Sequence, residues 1–122
     1  MEPVKYNFEN LEVYNLGKKL IIEIYRLSSN FPKEEMYGLT SQIRRACVSV
    51  VLNIAEGTSR KSKKEFSIFI DRSIGSLIET KACLNITQDL EYINEDKLKE
   101  LLPKIDELYF KLLKFKKYLD NK

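Results

Sequence analysis

Residues 39–57 read LTSQIRRACVSVVLNIAEG, and this stretch decides the fold. Its apolar residues recur every three or four positions, as they do on one face of an α-helix. These residues are Leu39, Ile43, Ala46, Cys47, Val50 and Ile54. No glycine or proline interrupts the pattern before Gly57, which we expect to end the helix as a left-handed cap. The stretch therefore predicts an amphipathic helix from about Leu39 to Glu56.

One helix is predicted before this stretch and another after it. The first covers about residues 10–29 and stops before Phe31-Pro32, because the residue that precedes a proline avoids the helical region. The next begins after Ser62, since Ser62 and Glu65 have the spacing of a capping box. Its apolar spacing continues to about Leu90.

A fourth helix is predicted after Asn94, which can serve as its N-cap. Pro103 lies inside this pattern and predicts a kink, or a first turn that breaks before the main helix. Short connections join all four helices, and short connections place consecutive helices antiparallel. The predicted fold is all-α, an up-down-up-down four-helix bundle, with residues 1–122 as a single domain.

The composition favours a packed helical protein of the cytoplasm. The chain is 43% hydrophobic and 32% charged, with a net charge of +3. No stretch approaches the ~20 apolar residues that a membrane span needs, so we expect no membrane association. The mixed, acidic segment Met1–Asn10 resembles neither a signal nor a transit peptide. Cys47 and Cys83 are expected to be reduced and buried, with a disulfide as the alternative.

Two of the helices carry a second apolar face. Around the helix at 39–56 this face holds Val48, Val51, Leu52 and Ala55, and around the following helix it holds Ile68, Gly75, Ala82 and Ile86. A helix that is apolar on two sides is usually covered on two sides. We therefore expect a homo-oligomer, in which Gly75 allows close approach between subunits. The alternative is scattered apolar surface residues, which are common.

Charge is distributed unevenly along the chain. One basic block contains Arg60, Lys61, Lys63 and Lys64, and another contains the lysines of residues 111–122, among them Lys111, Lys114 and Lys117. Residues 89–107 are acidic. In an up-down-up-down bundle both basic blocks share one end, which predicts an anion-binding end. The alternative is that these lysines complement a helix dipole and keep the surface soluble.

Arg44 and Arg45 flank the main apolar stripe of the helix at 39–56. Ion pairing with Glu56 or Glu79, within or between subunits, is one interpretation. Phosphate contact is the other, because the arginine fork matches phosphate geometry.

The residue types argue against an enzyme. The chain contains no histidine, which excludes histidine base catalysis and histidine metal ligation. Two distant cysteines do not have the usual spacing of a zinc site. No glycine-rich phosphate-binding loop is present. We therefore expect no catalytic residues, no metal and no cofactor.

An ordered series of short motifs across residues 8–90 resembles a known family. The motifs are Phe8-Glu9-Asn10-Leu11, Val13-Tyr14, Phe31-Pro32, Glu35-Met36-Tyr37-Gly38-Leu39, Gln42-Ile43-Arg44-Arg45-Ala46, Asn53-Ile54-Ala55-Glu56-Gly57, Arg60, Phe66 with Phe69, and Gly75-Ser76-Leu77 with Glu79. In them the chain resembles the four-helix-bundle proteins encoded within intervening sequences of bacterial 23S ribosomal RNA genes. The chain is also similar to the accessory proteins of diversity-generating retroelements.

The resemblance implies an up-down bundle assembled into a ring-like homopentamer. It also implies nucleic-acid binding, because the retroelement accessory proteins form basic pentameric barrels that bind nucleic acid and a reverse transcriptase. By family position the resemblance implies that Arg44, Arg45 and Arg60 bind nucleic acid. The same role is expected for the lysines because of the charge distribution alone. The main functional hypothesis is a non-enzymatic module that binds the RNA or DNA backbone through a basic end. The alternative is a protein-interaction scaffold.

Overall fold

Four α-helices make up most of the chain in the computed structural model, which describes residues 2–4 and 6–121. The helices are α1 (Glu12–Ser28), α2 (Leu39–Gly57), α3 (Lys63–Asp89) and α4 (Glu95–Asp120). Short 3-10 helices precede α1 and α2, at Asn7–Asn10 and Lys33–Glu35. The described residues contain no β-strand, so the all-α prediction is confirmed. Lys122, one of the lysines in the C-terminal basic block, lies outside the described residues.

The predicted starts of α3 and α4 are confirmed by their N-caps. The Ser62 side chain accepts a hydrogen bond from the backbone N–H of Glu65, at 3.1 Å. The Asn94 side chain accepts one from the backbone N–H of Lys97, at 2.8 Å. The Glu65 carboxylate accepts from the backbone N–H of Lys61 and not from that of Ser62. Each cap satisfies a backbone donor that the first turn leaves unpaired.

The left-handed cap predicted at Gly57 is wrong, and so is the break that was one of the two alternatives predicted at Pro103. Gly57 is the last residue of α2 and not a left-handed cap, because no described glycine has a positive φ. A Cβ at Gly57 would lie 2.7 Å from Cδ1 of Phe66, so close packing accounts for this glycine. Pro103 does not break α4, which runs unbroken from Glu95 to Asp120. The kink at Pro103 stays a prediction.

Each helix packs against its neighbours in the chain, and α4 also packs against α1. Gly17 contacts Val51 between α1 and α2, and Ser73 contacts Val50 between α3 and α2. Lys81 pairs with Asp106 between α3 and α4, and Glu23 pairs with Lys104 between α1 and α4. The buried side chains of all four helices form one hydrophobic cluster. No helix among the described residues is long and apolar enough to cross a bilayer.

Three buried hydroxyl groups donate hydrogen bonds to backbone carbonyl oxygens. Ser73 donates to the carbonyl oxygen of Val50 at 2.7 Å, which ties α3 to α2. Thr80 and Thr87 donate to carbonyl oxygens of their own helix. Buried hydroxyls without partners would cost free energy, and each of these has one.

Both cysteines are free and buried, as predicted. Burial raises the pKa of the Cys47 thiol to about 12, and burial also raises the pKa of the Cys83 thiol. Both groups therefore stay protonated at neutral pH. A protonated thiol is a poor nucleophile, which makes these two side chains apolar packing groups.

The second apolar faces are partly covered by the chain itself. Val51 is buried against Gly17 of α1 and belongs to the interior. Leu52, by contrast, is 61% exposed, and Ile68 and Ile86 are about half exposed. A Cβ at Gly75 would meet nothing within 4 Å, so its backbone is open to the surface. The uncovered part of the two faces therefore lies mainly on α3.

The contact between Gly17 and Val51 makes a prediction about packing. A Cβ at Gly17 would lie 2.7 Å from Cγ2 of Val51, a β-branched side chain that cannot turn away easily. Gly17→Ala is expected to destabilise the protein by about 1–2 kcal/mol, despite the better helix propensity of alanine. Denaturant unfolding measures this difference. The double variant Gly17→Ala, Val51→Ala should show a smaller loss than the two single losses combined, and strict additivity would contradict the clash.

Candidate nucleic-acid interface

The start of α3 and the end of α4 lie side by side. Ser67 in α3 donates a hydrogen bond to the Asp120 carboxylate in α4. The rings of Phe66 and Phe115 meet edge to face, with centroids 5.3 Å apart. These contacts bring two basic segments together, although they are about fifty residues apart in sequence.

Five lysines of these segments form what we call the basic end. They are Lys61, Lys63, Lys64, Lys114 and Lys117. All five are exposed, and none makes an ion pair within residues 2–4 and 6–121. The ammonium group of Lys63 lies 4.7 Å from the ring centroid of Tyr118, which ties the two segments together directly.

Other predicted basic residues are already occupied by carboxylates. Lys111 lies 2.8 Å from the Glu12 carboxylate of α1 and 3.4 Å from that of Glu107. The hydrogen bond to Glu12 raises the pKa of Lys111 above its usual value. Arg60 pairs with Glu56 at 3.0 Å. These two cations are less available for phosphate than the five lysines of the basic end.

Lys116 is occupied in the same way, within the last turn of α4. It lies 2.8 Å from the Asp120 carboxylate, and this hydrogen bond raises the pKa of Lys116. The same bond, together with the one from Ser67, lowers the pKa of Asp120. Asp120 therefore stays ionised, and it neutralises one lysine of the C-terminal block.

Arg44 and Arg45 lie apart from the basic end. Arg44 is thirteen residues before Gly57 in α2, a distance of about 20 Å along the helix axis. Its Nε donates to the Ser28 hydroxyl at 2.8 Å, and its guanidinium lies 4.5 Å from the ring centroid of Tyr25. Arg44 therefore joins α1 to α2. Arg45 is exposed beside a groove between α2 and α3.

The expected ion pairs of these arginines are absent from the described residues. Glu56 pairs with Arg60, and Glu79 accepts a hydrogen bond from Gln42. The prediction of pairing within one chain is therefore wrong, and both carboxylates have other partners. Pairing between subunits stays a prediction.

A second group of basic and aromatic side chains was not predicted from sequence. The guanidinium groups of Arg60 and Arg72 both lie over the ring of Phe69, at 4.3 and 4.7 Å from its centroid. Arg72 follows Phe69 by three positions in α3, and this helical spacing was the available signal. These contacts hold two arginines next to the basic end, because Arg60 directly precedes Lys61.

The charge pattern of this end can attract anions but shows no metal-binding arrangement. Among the residues that the structure describes, no group of three or more cysteine, aspartate and glutamate side chains could hold a metal ion. Lysine ammonium groups bind phosphate as point charges, and contacts to phosphate carry no sequence information. The arrangement therefore suits contacts to a phosphate backbone.

Comparisons with known proteins show the family through one family model and the fold through one solved structure. No curated protein matches the chain. The fold is similar to the 1.70 Å crystal structure of a protein with unknown function from the S23 ribosomal protein family of Bacteroides thetaiotaomicron. The two are 20% identical, the match covers 86% of this chain and 98% of that chain, and the TM-score is 0.76. The model of the 23S rRNA-intervening sequence protein family matches residues 9–114. This match covers most of the chain, which therefore belongs to the 23S rRNA-intervening sequence protein family.

Proposed function

We propose that this chain is a non-enzymatic, cytoplasmic subunit of a ring-like homopentamer that binds the phosphate backbone of RNA or DNA through its basic end. One observation carries the proposal: five exposed lysines from two distant segments gather at one end without carboxylate partners in the described residues. Unpaired cations gathered in this way attract a polyanion. The family description, which refers to 23S rRNA, makes RNA the first ligand to test.

An up-down-up-down arrangement is part of the same proposal. The contacts between α1 and α4 support it, since Glu12 pairs with Lys111 whereas the later residue Glu23 pairs with the earlier residue Lys104. Such a crossing order is typical of antiparallel neighbours. In a cyclic pentamer the basic ends of all subunits lie at equivalent positions, so assembly would multiply the charge that one copy presents.

The uncovered apolar side chains support assembly of identical copies. Ile78 of α3 and Phe110 of α4 lie along one groove between these helices, and Phe110 is 65% exposed. Ile68, Ile86 and Leu113 are further exposed apolar side chains on the same two helices. Exposed apolar surface of this kind marks interaction sites in soluble proteins. Five copies is the number that the family resemblance implies.

A salt titration tests backbone binding directly. Labelled structured RNA and duplex DNA are titrated with the protein, with fluorescence anisotropy as the readout, between roughly 50 and 200 mM salt. If all five lysines contact phosphates, the logarithm of affinity for duplex DNA should fall with a slope of about −4 to −5 against the logarithm of salt concentration. Absence of binding at the lowest salt concentration would contradict the proposal.

The second candidate is a protein-interaction scaffold, which the exposed groove at Ile78 and Phe110 favours. It predicts tight binding to one protein, and this binding would be insensitive to nuclease. Backbone binding predicts the opposite, namely loss of the complex after nuclease treatment and strong dependence on salt.

A further inference from the structure

A cavity of about 570 Å³ opens beside the basic end, between the start of α1 and the last turns of α4. Its volume lies within the range of small-molecule sites. Its lining includes Leu11, Glu12, Lys111, Lys114, Phe115 and Tyr118. One of the free lysines, Lys114, therefore belongs both to the basic end and to this cavity.

The lining combines an aromatic wall with a hydrogen-bonding pair. The rings of Phe115 and Tyr118 are nearly parallel, at 14°, and Tyr118 is 59% exposed. At the α1 side Glu12 and Lys111 are paired with each other at 2.8 Å, and each keeps further acceptor or donor positions beside that bond. Lys63 lies over the Tyr118 ring but does not line the cavity. The Lys63 ammonium group therefore occupies one face of the Tyr118 ring, and a base would stack on the side of the ring that lines the cavity.

This combination fits an unpaired nucleobase carried on a phosphate backbone. Every base has a flat face that stacks on an aromatic ring, and such stacking tolerates any sequence. The edges of a splayed base carry both donors and acceptors, which a carboxylate and an ammonium group can meet. Lys63 and Lys114 are then placed for the flanking phosphates. A paired base cannot reach such a cavity, because its edge is occupied and both of its faces are stacked.

We propose that the cavity receives an unpaired base of a single-stranded nucleic acid, with Tyr118 as its stacking surface. This inference rests on the proposed function and narrows its ligand to strands with accessible bases. It adds a contact to the base, where the lysines contact only the backbone.

The ligand provides the first test. A short single-stranded oligonucleotide is compared with an abasic strand of the same length, which carries the same phosphates and no bases. We expect the abasic strand to bind about 5- to 100-fold more weakly, because stacking is lost. The two salt slopes should be equal, because the phosphate contacts are unchanged. Equal affinity of the two strands would overturn the inference.

Variants of Tyr118 provide the second test. The Tyr118→Leu substitution should lower affinity for the base-bearing strand by about 5- to 100-fold. The variant protein should then bind the base-bearing and abasic strands equally. Tyr118→Phe keeps the ring and should retain the preference for the base-bearing strand. Tyr37→Leu is the matched control, since Tyr37 is 94% exposed and lies before α2, away from the cavity. A Tyr118→Leu variant that still prefers the base-bearing strand would assign the stacking to another residue and overturn the inference.

A fluorescent variant separates the two proposals. The chain has no tryptophan, so Tyr118→Trp introduces a single reporter at the cavity. The base-bearing strand should quench its emission, and the abasic strand should not. Binding of both strands without quenching would overturn the stacking inference and leave backbone binding intact. Absence of binding by either strand at low salt would overturn both.

Discussion

Reversing Lys61, Lys63 and Lys64 to glutamate is expected to abolish nucleic-acid binding and to leave helix content unchanged. All three side chains are exposed, and none makes an ion pair in the described part of the chain. Each reversal replaces an attraction to phosphate with a repulsion, so affinity at low salt should fall by about 100-fold or more. If any binding remains, the slope of the logarithm of affinity against the logarithm of salt concentration should be smaller in magnitude by about 3, or about one for each lost lysine. Carboxylates near the start of α3 favour the helix dipole, so α3 should not unfold.

A second triple variant controls for net charge. Lys18, Lys19 and Lys33 are also exposed and lie outside the basic end. Their reversal changes the net charge by the same amount, but it should lower affinity far less. Equal loss in both variants would mean that the overall charge, and not the basic end, governs binding. Unchanged binding by the first variant would remove the basic end from the proposal.

In the proposed homopentamer, Gly75→Leu is expected to separate the assembly into single subunits of 14.4 kDa. Gly75 lies between Ile68 and Ile86 on the exposed side of α3, where a second copy could approach its backbone closely. A leucine there keeps the helices of two copies apart. Within one chain the same leucine meets no neighbour at its Cβ and improves helix propensity by up to ~1 kcal/mol. The subunit itself should therefore remain folded.

Light scattering and circular dichroism together measure this result. The wild-type particle should have about five times the mass of one chain, and the variant should have the mass of one chain with the same helix content. Lys19→Leu adds a leucine to the exposed side of α1 and should leave the particle mass unchanged. A Gly75→Leu particle of unaltered mass would show that α3 does not form the contact between copies.

Local signals in the sequence predicted the helices well. The caps at Ser62 and Asn94 act on donors only three residues away, so their pattern is visible in a short window. Gly57 was misread because its reason lies in Phe66 of the next helix, and a pattern within α2 does not show this ring. The break predicted at Pro103 does not occur, because the rest of α4 packs into the core and keeps the helix continuous.

The candidate site was harder to predict, because its charges are balanced across long distances in sequence. The end shared by α3 and α4 was expected, and the contact of Lys63 with Tyr118 agrees with it. The pairing of Lys111 with Glu12 was not expected, since the two residues are 99 positions apart in the sequence. Composition alone therefore overstated the number of free cations at this end. The cavity beside Tyr118 lies between α1 and α4, which the Glu12–Lys111 pair also joins. Neither helix contains a sequence pattern that predicts this cavity by itself.

The two buried thiols have a practical consequence for labelling. Maleimide dyes attack thiolates, and neither Cys47 nor Cys83 presents one to solvent at neutral pH. A single cysteine introduced at an exposed position should therefore react much faster than both native thiols. Dyes can be attached at a chosen residue without first removing the native cysteines, which leaves the core intact. Energy transfer between such dyes on mixed subunits could then follow assembly in real time.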